Sequence, residues 1–177
     1  MKVPYKPIYL PRGPKKYKYI IIHDMNCHEN LAAKYKVDGE QFQTNSARST
    51  LYRDDKYYEL PFHYVCEKIK DDFQTVVARP LQYSCESEYP DLNKLYSRFG
   101  IHIGIMGNFN IIGTEPRMLQ QICYRAITPL MKIYGIMKSN IYLHGELSTD
   151  NLDCPGYNFT KQKLFAYIGP FLITQTS

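Results

Sequence analysis

Residues 17–24 read YKYIIIHD and form the most informative stretch of this 177-residue chain. Three successive isoleucines are β-branched and apolar, so a strand over residues 17–22 would be covered on both faces, as a central strand is. The strand is predicted to end at His23 and Asp24. A histidine therefore lies at the C-terminal end of the expected central strand.

Further strands are indicated by short runs of β-branched and aromatic residues, at 62–67, 74–78, 101–106 and 141–143. The first two are separated by the charged residues 68–72, which predicts a hairpin. The last leads directly into His144. Two of the predicted strands thus end at a histidine.

Two helices are predicted in the second half of the chain. Apolar residues recur at helical spacing over 115–134, where Thr114 could cap the start and Gly135 could end the helix. Pro129 lies inside this pattern and should kink or split the helix, because proline removes a backbone donor. An amphipathic pattern over 161–173 predicts the second helix. Strands interleaved with helices indicate an α/β fold.

The length suits one domain with one core. Residues 1–16 are rich in proline and are predicted to form an extended arm, and residues 17–177 are predicted to form the domain. Residues 29–60 are polar, and a helix near 30–36 followed by a long loop is predicted there.

Composition bears on membrane insertion, secretion, disulfide bonding and the charge of a partner. No apolar run approaches the roughly 18 residues that span a bilayer, so no membrane span is expected. The first residues lack the apolar stretch of a secretory signal, so synthesis in the cytoplasm is expected. Five irregularly spaced cysteines argue against a disulfide framework. The net charge of +5 favours an acidic partner without identifying one.

The residue types suggest a metal site. Zinc is held by about four ligands drawn from histidine, cysteine and carboxylate. His144 and Cys154 flank one loop, and His23 at another strand end could complete three protein ligands. Taken singly, each could instead be an ordinary buried residue. A rival zinc site would use His23, Cys27 and His28, although that cluster lacks a matching second half.

Four motifs give the chain a resemblance to a known family. They are Ile20-Ile21-Ile22-His23, Phe62-His63-Tyr64-Val65, the stretch IGIMGNF at 103–109, and Leu143-His144-Gly145-Glu146 followed by Asp153-Cys154-Pro155-Gly156. Their order over residues 17–159 resembles the zinc-dependent N-acetylmuramoyl-L-alanine amidases of the second type, which include peptidoglycan recognition proteins and phage lysozyme-amidases. The resemblance implies a central mixed β-sheet flanked by helices, and a zinc ion bound by His23, His144 and Cys154.

The chain departs from the family pattern at three positions. Phe62 stands where many members have a tyrosine that could stabilise an oxyanion. Leu152 stands where the family often has a lysine, and Gly104 falls where some members have a glutamate. Three helper groups that the resemblance would imply are therefore replaced.

The implied reaction is zinc-dependent hydrolysis of the bond between the N-acetylmuramoyl lactyl group and L-alanine in peptidoglycan. The motifs offer His63, Glu146 and Asp153 as general acid or base, with Tyr64 as a further candidate. Arg79 and Lys68 could bind the carboxylates of the stem peptide.

Three functions are compatible with the sequence. The first is a phage or bacterial cell-wall amidase, reaching the wall after release through a holin or as part of a virion. The second is an inactive module of the same fold that binds peptidoglycan or serves as a structural component of a particle, which Phe62 and Leu152 favour. The third is nucleic-acid binding by the basic residues Arg12, Lys15, Lys16 and Lys18, for which an ordinary solvated arm is the simpler interpretation.

Overall fold

A computed structural model describes residues 11–25, 61–69 and 72–168. These form five strands: β1 Tyr19–Asp24, β2 Tyr64–Ile69, β3 Asp72–Val77, β4 Gly100–Ile105 and β5 Ile141–Leu143. The helices are α1 Lys94–Phe99, α2 Pro116–Ile122, a π-helical turn Cys123–Ile127, α3 Thr128–Tyr134 and α4 Lys161–Phe165. Short 3₁₀ turns cover Glu86–Glu88, Lys138–Asn140 and His144–Glu146. The predicted α/β class is confirmed.

The strands form one mixed sheet in the order β3-β2-β4-β1-β5. β1 lies between β4 and β5 and is parallel to both, and β2 is parallel to β4. β3 pairs antiparallel with β2, as the predicted hairpin requires. Ile22 pairs with Leu143, so His23 and His144 follow at the same edge of the sheet.

The core lies on both faces of β1. Ile20 and Ile22 pack into a cluster with the helices α2 and α3, whereas Ile21 belongs to a second cluster with Phe62, Val65 and other buried residues. All three isoleucines are fully buried. The expectation that β1 is covered on both faces is confirmed.

The long predicted helix is divided. The π-helical turn joins α2 to α3, and Pro129 lies in the first turn of α3, where a missing N–H removes no bond within that helix. The predicted cap at Thr114 is wrong, because the helix begins with Pro116 after Glu115 and Thr114 is one residue too early. Gly135 ends α3 with a φ of 66°, as predicted.

Several predictions fall partly or wholly outside the described residues. These are the segment 1–10 of the arm, residues 29–60, Cys27 and His28, and positions 169–173 of the last helix. Within the described part, that helix ends at Phe165. Residues 11–13 lie against 82–84, where the Gly13 amide donates to the Gln82 carbonyl at 2.8 Å. None of the helices in the described ranges is long and apolar enough to cross a bilayer.

Candidate metal centre

Three side chains from different parts of the chain converge at the C-terminal edge of the parallel strands. One ligand atom from each of His23, His144 and Cys154 lies within 4.8 Å of the other two. His23 belongs to β1, His144 follows β5, and Cys154 belongs to the loop after it. The structure therefore brings together the three residues that the sequence motifs singled out.

The loop between His144 and Cys154 is closed by its own backbone. The Gly145 amide donates to the Cys154 carbonyl at 2.8 Å. A Cβ atom at position 145 would lie 2.3 Å from the Leu152 carbonyl oxygen and 2.9 Å from the Cys154 carbonyl oxygen. Only glycine lets the two segments approach this closely, so Gly145 sets the separation of His144 and Cys154.

Asp91, which precedes α1, forms hydrogen bonds with this loop. Its Oδ2 atom accepts hydrogen bonds from the Ser148 hydroxyl and, at 2.9 Å, from the Asn151 side-chain amide. The same oxygen lies 2.9 Å from His144 Nε2. A carboxylate beside one nitrogen of a histidine is a usual partner for a metal ligand, because it orients the ring.

The residues fit a metal. His144 is buried, and its Nε2 atom lies 2.9 Å from the Asp91 carboxylate, so the other ring nitrogen would be the one that ligates. Two imidazoles and a thiol are also the donor types that zinc prefers. A cation shared by His23, His144 and Cys154 would therefore complete the site.

Burial sets the protonation of the three groups. It lowers the pKa of His23 well below its usual value, with the neighbouring His102 and His144 acting in the same direction. It also lowers the pKa of His144, against an opposing effect of Asp91. Both imidazoles are thus neutral and able to ligate. Burial, followed by the Asp24 carboxylate, raises the pKa of the Cys154 thiol, so that a cation must displace its proton.

The three residues border an open cleft of about 470 Å³. Its described lining carries five carboxylates and neither lysine nor arginine; the acids are Asp24, Glu88, Asp91, Asp150 and Asp153. Phe62 and Tyr89 supply the aromatic part of the wall. The cleft is acidic although the whole chain carries a net charge of +5.

Of the four predicted acid–base candidates, Asp153 alone belongs to the described lining of the cleft, and Tyr64 does not. The Oδ2 atom of Asp153 accepts a hydrogen bond from the Asn110 side chain at 2.9 Å. Glu146 is outside the described lining, since its Oε2 atom accepts from the Leu143 amide at 2.7 Å and pairs with Lys161 at 2.6 Å. Glu146 therefore holds the turn that begins at His144, and its predicted role in proton transfer is not supported.

The structure also argues against His63 as the general base. Its ring is fully buried, its Nδ1 atom accepts from the His102 amide at 3.0 Å, and its Nε2 atom lies 3.0 Å from the Tyr83 carbonyl. Burial lowers the pKa of His63 to about 3. The predicted base is thus a neutral core residue that secures β4 against the chain before β2.

Of the two predicted substrate-binding residues, the structure describes the side chain of Arg79 and not that of Lys68. Arg79 is fully buried, donates to the Ser84 carbonyl at 2.9 Å and pairs with Glu88 at 3.1 Å. Its guanidinium is buried and paired within the protein, so the structure does not support the predicted contact of Arg79 with a stem-peptide carboxylate. The side chain of Lys68 lies outside the described residues.

Three residues at the site were missed in the sequence. Asp91 holds the metal-site loop, and Tyr89 stacks on His23 with ring centroids 4.6 Å apart. His102 lies 2.9 Å from His23, measured between its Nδ1 atom and His23 Nε2. The sequence carried a signal for His102, because a histidine within the apolar run IHIGI at 101–105 is a polar residue in a strand that is expected to be buried.

No family model and no curated protein sequence matches the chain. Solved structures do match. A mutant endolysin from Bacillus subtilis is 21% identical, with a TM-score of 0.60 over 92% of this chain and 94% of that one. The endolysin amidase LysCS from Clostridium intestinale URNW is 16% identical, with a TM-score of 0.57 over 93% and 91%. The Ph2119 endolysin from the Thermus scotoductus MAT2119 bacteriophage is 12% identical, with a TM-score of 0.55 over 90% of each chain.

At such identities a structural likeness establishes the fold and leaves the activity to be argued from the site. The likeness spans nine-tenths or more of this chain in all three comparisons. The chain has the fold of N-acetylmuramoyl-L-alanine amidase endolysins.

Proposed function

We propose that this protein is a zinc-dependent peptidoglycan amidase that hydrolyses the bond between the N-acetylmuramoyl lactyl group and L-alanine. One observation carries the proposal: two neutral imidazoles and a thiol converge within 4.8 Å beside an open cleft, in the fold of amidase endolysins. This is the three-ligand arrangement of catalytic zinc sites, which leave a position open for water or substrate.

When bound, zinc supplies a Lewis acid that polarises the amide carbonyl and activates water near neutral pH. His23, His144 and Cys154 would hold the ion. Hydrolysis breaks the amide C–N bond, adds hydroxyl to the lactyl carbonyl carbon and returns a proton to the amine of L-alanine. The protein's other residues must orient the substrate and move that proton.

Asp153 is the best candidate for the proton transfer among the predicted residues. It lies in the cleft wall next to the ligand Cys154 in sequence, and Asn110 orients its carboxylate. An oriented carboxylate within reach of the water can accept a proton and return it to the leaving amine. We assign this role to Asp153 in place of His63 and Glu146.

A second candidate function is an inactive module that binds peptidoglycan or forms part of a virion. Phe62 favours it, because its ring borders the cleft 5.5 Å from the His23 ring and carries no hydroxyl that could donate to an oxyanion. Loss of one such donor costs about 2.7–4 kcal/mol in barrier height, which would leave a slow enzyme. In either case peptidoglycan is the proposed partner, reached after release from the cytoplasm through a holin or from a particle.

The decisive experiment is an assay of purified protein on peptidoglycan from several bacteria, measuring newly exposed L-alanine amino termini. Zinc-loaded protein should release them, whereas chelated protein and His144→Ala should not. Cys154→Ala should also be inactive. Cys123→Ala is a matched control, since Cys123 is buried in the π-helical turn between α2 and α3 and its thiol donates to the Leu164 carbonyl at 3.6 Å.

The result separates the two functions. Zinc-dependent release that is lost in His144→Ala and Cys154→Ala and kept in Cys123→Ala supports the amidase. Sedimentation of the zinc-loaded protein with peptidoglycan and no new amino termini would overturn it in favour of the binding module.

A further inference from the structure

A chain of buried contacts leads from a helix end to the metal site. The Nε2 atom of His102 lies 3.2 Å from the Ser97 carbonyl oxygen, and its Nδ1 atom lies 2.9 Å from His23 Nε2. Both histidines are buried, and Ser97 is in the last turn of α1. The contacts thus join a backbone carbonyl, a second histidine and a candidate ligand.

The carbonyl determines where the protons are. Ser97 belongs to the last turn of its helix, where carbonyl groups lack a partner within the helix, and a carbonyl can only accept. His102 must therefore carry its proton on Nε2 and donate it to Ser97. A neutral imidazole then has an unprotonated Nδ1, so this atom accepts, and His23 must donate from Nε2. The remaining nitrogen of His23, Nδ1, keeps its lone pair.

We propose that His102 is a positioning residue for metal binding: it accepts the Nε2–H of His23, and so leaves His23 Nδ1 as the nitrogen that ligates the ion. The inference rests on the proposed metal site and adds a residue that does not touch the ion. Ligand histidines are usually oriented by a carboxylate, a backbone carbonyl or water. Here an imidazole takes that place, and the backbone of α1 fixes its tautomer.

The surrounding packing keeps both rings in one orientation. The Tyr89 ring stacks on His102 with centroids 4.3 Å apart and an angle of 9° between planes, and it also stacks on His23 at 4.6 Å. The Tyr89 hydroxyl is in turn fixed by donating to the Pro61 carbonyl at 2.7 Å. The His102 amide donates to His63 Nδ1 at 3.0 Å. These contacts oppose rotation of the two rings. They also give the buried His63 a structural role as the acceptor for the His102 amide.

The first test needs no substitution. In metal-free wild-type protein labelled with ¹⁵N histidine, long-range ¹H–¹⁵N correlation spectra report which ring nitrogen carries the proton. We expect Nε2–H on both His102 and His23, and on addition of zinc we expect a shift of His23 Nδ1. A proton on His23 Nδ1, or on His102 Nδ1, would overturn the inference.

The second test compares two variants by competition for zinc with a chromophoric chelator. His102→Phe keeps a stacking ring but removes the acceptor, and zinc affinity should fall about 10–100-fold, the usual effect of losing such a partner. His102→Asn offers a side-chain oxygen near the position of Nδ1 and should remain within a few-fold of wild type. Ser97→Ala keeps the backbone carbonyl and serves as the control with unchanged affinity.

The outcomes distinguish this inference from the proposed reaction. Unchanged zinc affinity in His102→Phe, or equal losses in both His102 variants, would show that His102 is only a packed core residue. Neither readout requires cleavage of peptidoglycan. If the wild-type protein binds zinc but cleaves nothing, the amidase proposal fails and the role of His102 stands or falls on these measurements alone.

Discussion

The ring of Phe62 fills the space that a side chain at Gly104 would need. An ideal Cβ atom on Gly104 would lie 2.8 Å from Phe62 Cδ2 and 2.9 Å from Met25 Cγ. Both positions depart from the pattern of the family that the sequence resembles, and the structure shows that the two departures are one packing arrangement. The phenylalanine closes over β4 because the strand carries no side chain there.

This arrangement predicts a coupling between the two positions. Gly104→Ala should destabilise the protein by about 1–3 kcal/mol, because the new methyl group must push against the Phe62 ring and the Met25 side chain. Combined with Phe62→Leu, its cost should be smaller by a coupling free energy of about 0.5–3 kcal/mol, the range seen for residues in contact. Urea unfolding of the four proteins measures the cycle. Strictly additive effects would show that the close approach has no energetic consequence.

The positions of the two ligand histidines could be predicted from the sequence, because they depend on where strands end. The directions in which neighbouring side chains point could not be predicted. His23 lies at the C-terminal end of the buried strand β1, His144 directly follows β5, and parallel neighbours bring such ends to one edge of the sheet. Phe62 and His63 are adjacent, yet the first borders the cleft and the second is buried elsewhere, because neighbouring side chains on an extended chain point in different directions. The burial of Arg79 was not predicted, because its ion pair with the partly exposed Glu88 leaves no mark in the local sequence.

Gly145 should be necessary for metal binding. In Gly145→Ala the added Cβ atom would meet the Leu152 carbonyl at 2.3 Å, so the loop must move and Cys154 with it. We expect zinc affinity to fall by more than about tenfold, equivalent to about 1.4 kcal/mol. The affinity is measured by chelator competition. Gly113→Ala is the control, since a Cβ atom there meets nothing within 4 Å; equal losses in both variants would contradict the role of the close approach.

His63 should make the protein sensitive to acid. Its folded-state pKa is lowered to about 3 by burial, whereas the unfolded value is about 6.5. Between these values the unfolded chain binds a proton that the folded chain does not. The contribution of His63 to stability is therefore complete above about pH 6.5 and falls by up to about 1.4 kcal/mol per pH unit as the pH decreases.

The variant His63→Gln separates this contribution from that of other groups. Glutamine can still donate to the Tyr83 carbonyl but does not titrate, so the variant should be less stable than wild type at pH 7 and lose less stability on acidification. Urea unfolding at pH 7, 6 and 5 gives both slopes. Equal slopes for the two proteins would mean that His63 is protonated in the folded state at a higher pH than its burial implies.

The acidic lining of the cleft predicts a preference for cationic substrates. Asp150 and Asp153 lie in its described wall without a lysine or arginine beside them in that wall, so a stem peptide with a free ammonium group should be favoured over the same peptide after N-acetylation. We expect kcat/KM for the free amine to exceed that for the acetylated peptide, with a difference that shrinks at high salt because screening weakens exposed charges. Asp150→Asn should reduce the preference. Asp72→Asn, which removes the same charge from the β2–β3 hairpin, should leave the preference unchanged. Faster cleavage of the acetylated peptide would show that the carboxylates do not face the substrate, and would direct attention to the contacts that Phe62 and Tyr89 make in the same wall.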